Sequence, residues 1–350
     1  MRCEENDEFR TTGESWSKGN MNTNSRGDRQ YAFEDATPQK NAVNLFGINL
    51  PPQVTISLRR ITTGVRRLYV IGLAAAMLAG ALPAFCGDPG DENPAANNPG
   101  YFANWFARVD KTQAEQPHWI TALATTTPRL EEEVRYDISR QKSNSGITGE
   151  NYGGSKGLEL IPFEKVEVIL SVPPYLVHNN PAVPDGFGDF QFLVKYRLLS
   201  KNEQRGNYIL TAFLTVSVPT GTRHNGALDA IVTPVIAYGK GFGQFDVQGT
   251  FGVGLPTGDT RLIGRTYTWN NAFQYRLFRK VWPEVEFNTT AFQQGKNGGN
   301  HQVFVTPGLV VGRLHLWKRL NLSIGGGFQV AATRFHTNNH NAIFSIRFPF

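Results

Sequence analysis

Apolar and polar side chains alternate one by one through most of the chain after residue 128. In residues 341–350, Ala342, Phe344, Ile346, Phe348 and Phe350 share one side, and Ile343, Ser345, Arg347 and Pro349 the other. A repeat of two belongs to an extended strand whose faces meet different surroundings. The same repeat sets Leu320, Leu322, Ile324, Phe328 and Val330 against Asn321, Ser323, Gly325, Gly327 and Gln329. It sets Phe245, Val247, Phe251, Val253 and Leu255 against Asp246, Gln248 and Thr250. Phe190, Phe192, Val194, Tyr196 and Leu198 oppose Gln191, Lys195 and Arg197, and Val285 and Phe287 oppose Glu284, Glu286 and Asn288. Tyr208 to Val218 follows the rule with Phe213 as the exception. Several runs reach about ten residues, the length a tilted strand needs to cross a bilayer.

The connections carry a second signal. Counted back from residue 350, long polar connections (332–340, 293–301, 256–266, 219–227, 173–187) alternate with short ones (315–318, 279–281, 240–243, 200–206, 161–164). Outer-membrane barrels have short periplasmic turns and longer external loops, whereas a soluble sandwich has no reason to alternate in this way. With a first strand near 129–140, a loop near 141–153 and a short strand near 154–160, the count is about twelve, and even, as such barrels require. The expected fold is therefore all-β: a transmembrane antiparallel meander β-barrel of about twelve strands, in the bacterial outer membrane. Trp269, Tyr275, Trp282, Trp317, Tyr238 and Tyr267 fall near strand ends and are expected in its aromatic girdles. A strand as apolar as 341–350 would be an aggregation edge in water, and barrel closure removes that edge. It resembles the carboxyl-terminal signature that the barrel-assembly machinery reads, with Phe344, Ile346, Phe348 and Phe350 as the expected signal.

The amino-terminal part reads differently. Residues 1–53 are polar and aperiodic, and are expected to be a disordered or mis-assigned leader. In 54–86, Arg59, Arg60, Arg66 and Arg67 precede an apolar run over 68–82 and then Pro83, Ala84, Phe85 and Cys86. That is the layout of a secretory signal peptide, with cleavage expected after Cys86. Residues 87–127 form a periplasmic lead-in, in which 118–127 is an extended segment that could enter the barrel; the barrel itself is assigned to 128–350.

Composition agrees with turn-rich β structure: 36 glycines and 24 phenylalanines in 350 residues, with 18% charged. A mean hydropathy of −0.32 does not oppose a membrane barrel, because alternation cancels in the average. Much of the net charge of +6 comes from arginines before residue 70, so no nucleic-acid partner is expected. Both cysteines, Cys3 and Cys86, precede the lead-in, which leaves no disulfide or cysteine metal site after it.

The polar faces supply the candidate site. Glu133, Arg135, Asp137, Lys165, Glu167, Lys195, Arg197, Asp246, Gln248, Gln274, Arg276, Glu284, Glu286 and Gln329 are expected to line a lumen. There, charges of both signs either set solute selectivity or pair across a filled interior. In the run Glu131-Glu132-Glu133, Glu132 would face lipid, which is unfavourable. No catalytic constellation, metal site or cofactor is expected: Gly239-Lys240-Gly241-Phe242-Gly243 lacks phosphate-loop spacing. Ser171, Ser217 and Ser323 have no histidine beside them in the pattern, and His336 and His340 read as solvated loop residues.

Val218-Pro219-Thr220-Gly221-Thr222 and Leu255-Pro256-Thr257-Gly258-Asp259 are a repeat that closes a strand and opens a loop. Together with Gly186-Phe187-Gly188-Asp189 and Val194-Lys195-Tyr196-Arg197, these motifs resemble the outer-membrane barrels grouped as the meta-pathway phenol-degradation family, over roughly residues 128–350. The resemblance implies a channel or transporter that takes up aromatic compounds. Three functions stay open: a passive channel for small solutes, a non-conducting structural barrel, and an outer-membrane enzyme. Outer-membrane lipid and the assembly machinery are the expected partners.

Overall fold

The computed structural model describes residues 100–154, 156–258 and 260–350; the expected leader and signal peptide lie outside them. Among the described residues, one helix, α1 (Trp105–Ala114), precedes fifteen strands. They are β1 (Glu133–Lys142), β2 (Thr148–Tyr152), β3 (Gly157–Phe163), β4 (Val166–Ser171), β5 (Tyr175–His178), β6 (Gly186–Phe187), β7 (Phe190–Lys201) and β8 (Tyr208–Val218). Then come β9 (Ile231–Phe242), β10 (Phe245–Pro256), β11 (Thr266–Tyr275), β12 (Val281–Phe292), β13 (His301–Trp317), β14 (Leu320–Ala331) and β15 (His340–Pro349). All pairings are antiparallel, and all but a few link chain neighbours. β15 closes on β1 from Glu133↔Pro349 to Lys142↔His340, so the sheet has no free edge along these staves. β2, β5 and β6 pair with one another in the order of β3, β4 and β7 and continue those staves past short breaks. The ring therefore has twelve staves. The breaks follow residues that cannot hold a ladder, among them Pro173 and Pro174.

The two faces are inverted relative to a water-soluble protein. Val134, Leu170, Tyr196, Ile236, Phe251, Trp269, Phe287, Leu309, Phe328 and Phe344 point outward and are exposed. Arg135, Glu167, Lys195, Thr211, Gln248, Gln274, Glu286, Ser345 and Arg347 point inward and are buried. Each large apolar side chain left in water forgoes about 1.5–3 kcal/mol, so an exterior band of this size requires lipid around it. Among the described residues no helix is long and apolar enough to cross a membrane; the crossing elements are strands.

Three expectations need correction. β1 starts at Glu133, not near Arg129, because residues 129–132 still belong to a segment inside the barrel. Glu132 consequently does not face lipid. It is buried beneath the rim, where Trp105 Nε1 donates to its Oε1 (2.6 Å) and the Ile161 N–H to its Oε2 (2.8 Å). Trp282 is not a girdle residue: it shares the parity of Glu284 and Glu286 and is buried inside, against Ile120, Leu123 and Val310.

Candidate functional site: an occupied lumen

Residues 116–132 enter the barrel at the short-turn rim and return to it. His118 sits beside the β7–β8 turn, where its ring meets Glu203 Oε2 at 2.8 Å, and Glu132 returns beneath Ile161. Bends at residues 123–125 and 128–129 turn the chain back, and Ala124 is exposed. Trp119, Ile120, Ala122, Leu123 and Leu130 are buried. Space for them comes from inward glycines on the wall. A Cβ on Gly308 would lie 2.5 Å from Leu123 Cδ1, and one on Gly325 would lie 2.6 Å from Leu123 Cδ2. The glycines of the Gly239-Lys240-Gly241 run serve Trp119 in the same way.

The inserted chain has no strand beside it, yet buried backbone groups need partners. Wall side chains supply them by charge. Carboxylates take the N–H groups: Leu123 donates to Glu284 Oε1 (3.1 Å), Ala124 to Glu286 Oε1 (2.7 Å) and Thr125 to Glu286 Oε2 (2.5 Å). The Glu131 N–H donates to Glu167 Oε2 (2.7 Å). Cations take the carbonyls: Arg347 donates to Thr121 and Ala122, and Arg135 to Ala122 and Leu123. Arg313 donates to His118 and Trp119 (2.8 and 2.9 Å), and Lys195 to Arg129 (3.0 Å). Gln248 Nε2 donates to Ile120 (2.9 Å), Thr127 Oγ1 donates to Gln248 Oε1 (2.7 Å), and Thr211 Oγ1 donates to Pro128 (2.6 Å). Such charge-assisted bonds are roughly twice as strong as neutral ones.

Part of the remaining buried charge is paired, while Lys156 donates to Thr126 Oγ1 (3.1 Å) and Glu133 and Glu159 each keep one buried oxygen without a hydrogen bond. Lys195 lies 2.9 Å from Glu167, Arg129 2.7 Å from Glu131, and Arg135 2.9 Å from Asp137. Beyond the bend the lining turns neutral and polar, with Gln329 donating to Asn288 and Thr306 (both 3.3 Å).

Helix α1 crosses the rim below this segment. Val109 packs on Leu130 and Ile161. Lys111 pairs with Glu164 at 2.7 Å, and Arg319 holds Asp110 through two bonds of 2.9 and 2.6 Å. Arg197 donates to the Thr112 carbonyl (2.8 Å) and to Glu115 (2.9 Å). The Arg319 guanidinium holds the Asp110 carboxyl below its usual range, whereas burial pushes that of Glu132 up.

Of the residues expected to line a lumen, Glu133, Arg135, Glu167, Lys195, Arg197, Asp246, Gln248, Gln274, Glu284 and Glu286 are buried inside the ring. Asp137 and Gln329 are half-buried there. Lys165 is exposed in the β3–β4 turn, and Arg276 lies just past β11 in the following turn, where its N–H donates to the Gln244 carbonyl. Both belong to the rim because their strands are shorter there than the alternation implied. Arg347, Arg313, Arg129 and Glu131 were not foreseen. Arg347 stood on the polar side of the last strand and was legible. Arg313 was not, because a bulge between Val311 and Leu314, with Arg313 at φ 55°, turns an outward position inward.

Two of the motifs that carry the family resemblance, Gly186–Asp189 and Val218–Thr222, meet in one loop cluster at the opposite rim. Asp189 accepts the N–H groups of Gly221 (2.9 Å) and Ala227 (2.7 Å). The Thr222 and Thr220 hydroxyls accept those of Phe187 (2.9 Å) and Phe190 (2.8 Å). These bonds replace the ladder where Gly188 and Pro219 interrupt it, so the motifs shape a loop. Among the described residues no group of three or more His, Cys, Asp or Glu side chains could hold a metal ion. Ser171 and Ser323 accept the backbone N–H groups of Gln191 and Arg313.

No family profile matches the chain, and no curated protein matches it. Solved structures of similar shape include an outer membrane channel from Pseudomonas putida F1, at 15% identity and TM-score 0.44, covering 62% of this chain and 94% of that one. The KdgM porin matches at 7% identity and TM-score 0.39, over 62% of this chain and 99% of its own. The NanC porin matches at 10% identity and TM-score 0.40, over 61% and 98%. What decides the setting is the chain's own build: an even, closed, antiparallel ring with an apolar exterior and a polar interior. The chain is a β-barrel of the bacterial outer membrane.

Proposed function

We propose that this barrel is a passive channel for small solutes, closed at rest by its own residues 118–132. One observation carries the reading: besides the packing of Ile120 and Leu123 on Trp282 and Val310, the segment's backbone is held by bonds to wall side chains and by no strand ladder, a seating that water can replace bond by bond as the segment leaves. The solute class we assign is small and aromatic or hydrophobic, as the resemblance to the meta-pathway phenol-degradation barrels implies. In support, the inner wall carries an apolar patch of Ile169, Leu193, Phe213, Val235 and Ala237.

A non-conducting barrel is the second reading, favoured by the fully buried Lys195–Glu167 pair in the filled half. A reversible lock separates the two. In the full chain with Cys3 and Cys86 replaced by serine, Leu123→Cys with Gly308→Cys would tie the segment to the wall. Current steps that vanish on oxidation and return on reduction support the channel. Folded protein without steps in either state supports the structural barrel.

A further inference from the structure

Among the described residues, aromatic side chains around α1 remain exposed. Phe102 is 81% exposed and Phe106 49%. Phe102 lies in the turn that leads into α1 and Phe106 in the helix's first turn, next to Trp105 and Val109, which pack at the barrel mouth. In the periplasm these rings would sit in water at a cost. The surroundings show a different destination. The Arg319 guanidinium lies 4.6 Å over the Phe106 ring, and Lys318 Nζ lies 4.5 Å over the ring of Trp317, which is itself 66% exposed. Trp317, Lys318 and Arg319 close β13 onto β14 at the short-turn rim, where the lipid-facing surface ends. These aromatic rings are thus continuous with the barrel's own girdle. A ring capped by a cation fits the boundary of a bilayer, with the ring at the glycerol level and the charge at the phosphates.

We infer that α1 and the turn before it form an interfacial anchor: Phe102 and Phe106 insert into the phospholipid leaflet at the short-turn rim, with Lys318 at its headgroups. Because α1 runs directly into residues 116–132, the leaflet then holds the entry end of the inserted segment. This assignment does not depend on whether the barrel conducts.

The test uses the full chain with Cys3 and Cys86 replaced by serine, folded into nanodiscs of phosphatidylethanolamine and phosphatidylglycerol. Phe102→Cys and Phe106→Cys, each checked for heat-modifiable mobility, carry a bimane label; Lys296→Cys in a long loop is the control. Lipids with a spin label near the headgroup should quench both α1 positions more than lipids labelled near the chain end, and should leave the control bright. Quenching at 102 and 106 no greater than at 296 would overturn the anchor. Headgroup pairing predicts less quenching when phosphatidylcholine replaces phosphatidylglycerol, and equal quenching would remove Lys318 from the assignment.

Discussion

Glu286 is the wall residue whose loss should most directly release the inserted segment. Its carboxylate is fully buried and accepts two adjacent backbone N–H groups, from Ala124 at 2.7 Å and Thr125 at 2.5 Å. A hydrogen bond to a charged group contributes about 1.5–3 kcal/mol net. Glu286→Ala therefore removes about 3–6 kcal/mol, and water entering beside the exposed bend recovers part of it. Taking the lower end, about 3 kcal/mol, the ratio of closed to open barrel falls roughly 100-fold, at about 1.4 kcal/mol per factor of ten. Single-channel recording of the full chain at fixed voltage reads this ratio as the open fraction. Glu286→Gln keeps one acceptor and should fall between wild type and Glu286→Ala. Gln329→Ala is the control, since Gln329 bonds to Asn288 and Thr306 but not to the segment. An open fraction unchanged in Glu286→Ala, or raised no more than in Gln329→Ala, would refute the idea that polar bonds to the wall keep the lumen closed.

Other outcomes follow from the same geometry. Gly308→Leu places side-chain atoms where Leu123 lies, since even a Cβ would be 2.5 Å from it. Such overpacking costs about 1–3 kcal/mol, so the open fraction should rise, and Leu123→Ala should reverse the rise. Lys195→Met strands Glu167 as a buried lone carboxylate at a cost of about 3–5 kcal/mol. The heat-modifiable transition should drop, and adding Glu167→Gln should restore much of it. Acidification should free α1. Asp110 titrates below its ordinary value because of Arg319, so that pairing is intact above the unfolded carboxylate range and is lost as pH falls below about 4. Glu132, raised by burial, works the other way, gaining stability as it protonates nearer neutrality. The protection factors of the α1 amides, corrected for the pH dependence of intrinsic exchange, should therefore hold from pH 7 to about 5 and fall below about 4; a fall already at pH 6 would contradict the assignment.

Much of the barrel was legible because its information is local. In a meander each strand pairs mainly with its neighbour in the chain, so alternation names the faces and loop length names the rims. Val285 and Phe287 against Glu284 and Glu286 were enough to orient β12. The same parity places Trp282 inside, although its position near a turn reads as girdle. What the inserted segment does was settled only by tertiary structure. Residues 116–132 have no period of their own, and their partners lie far away in sequence, with Arg347 reaching the carbonyls of Thr121 and Ala122 across more than 220 residues. The inward glycines Gly308, Gly325, Gly239 and Gly241 were visible as residues, but without the ring nothing said what filled the space beside them. Arg313 depends on a single bulge, and Glu132 on where β1 begins. Period-two patterning thus determined the wall, because every other residue had to satisfy lipid. The content of the lumen was decided by which distant charges the closed ring brings to one backbone, a relation that no local pattern encodes.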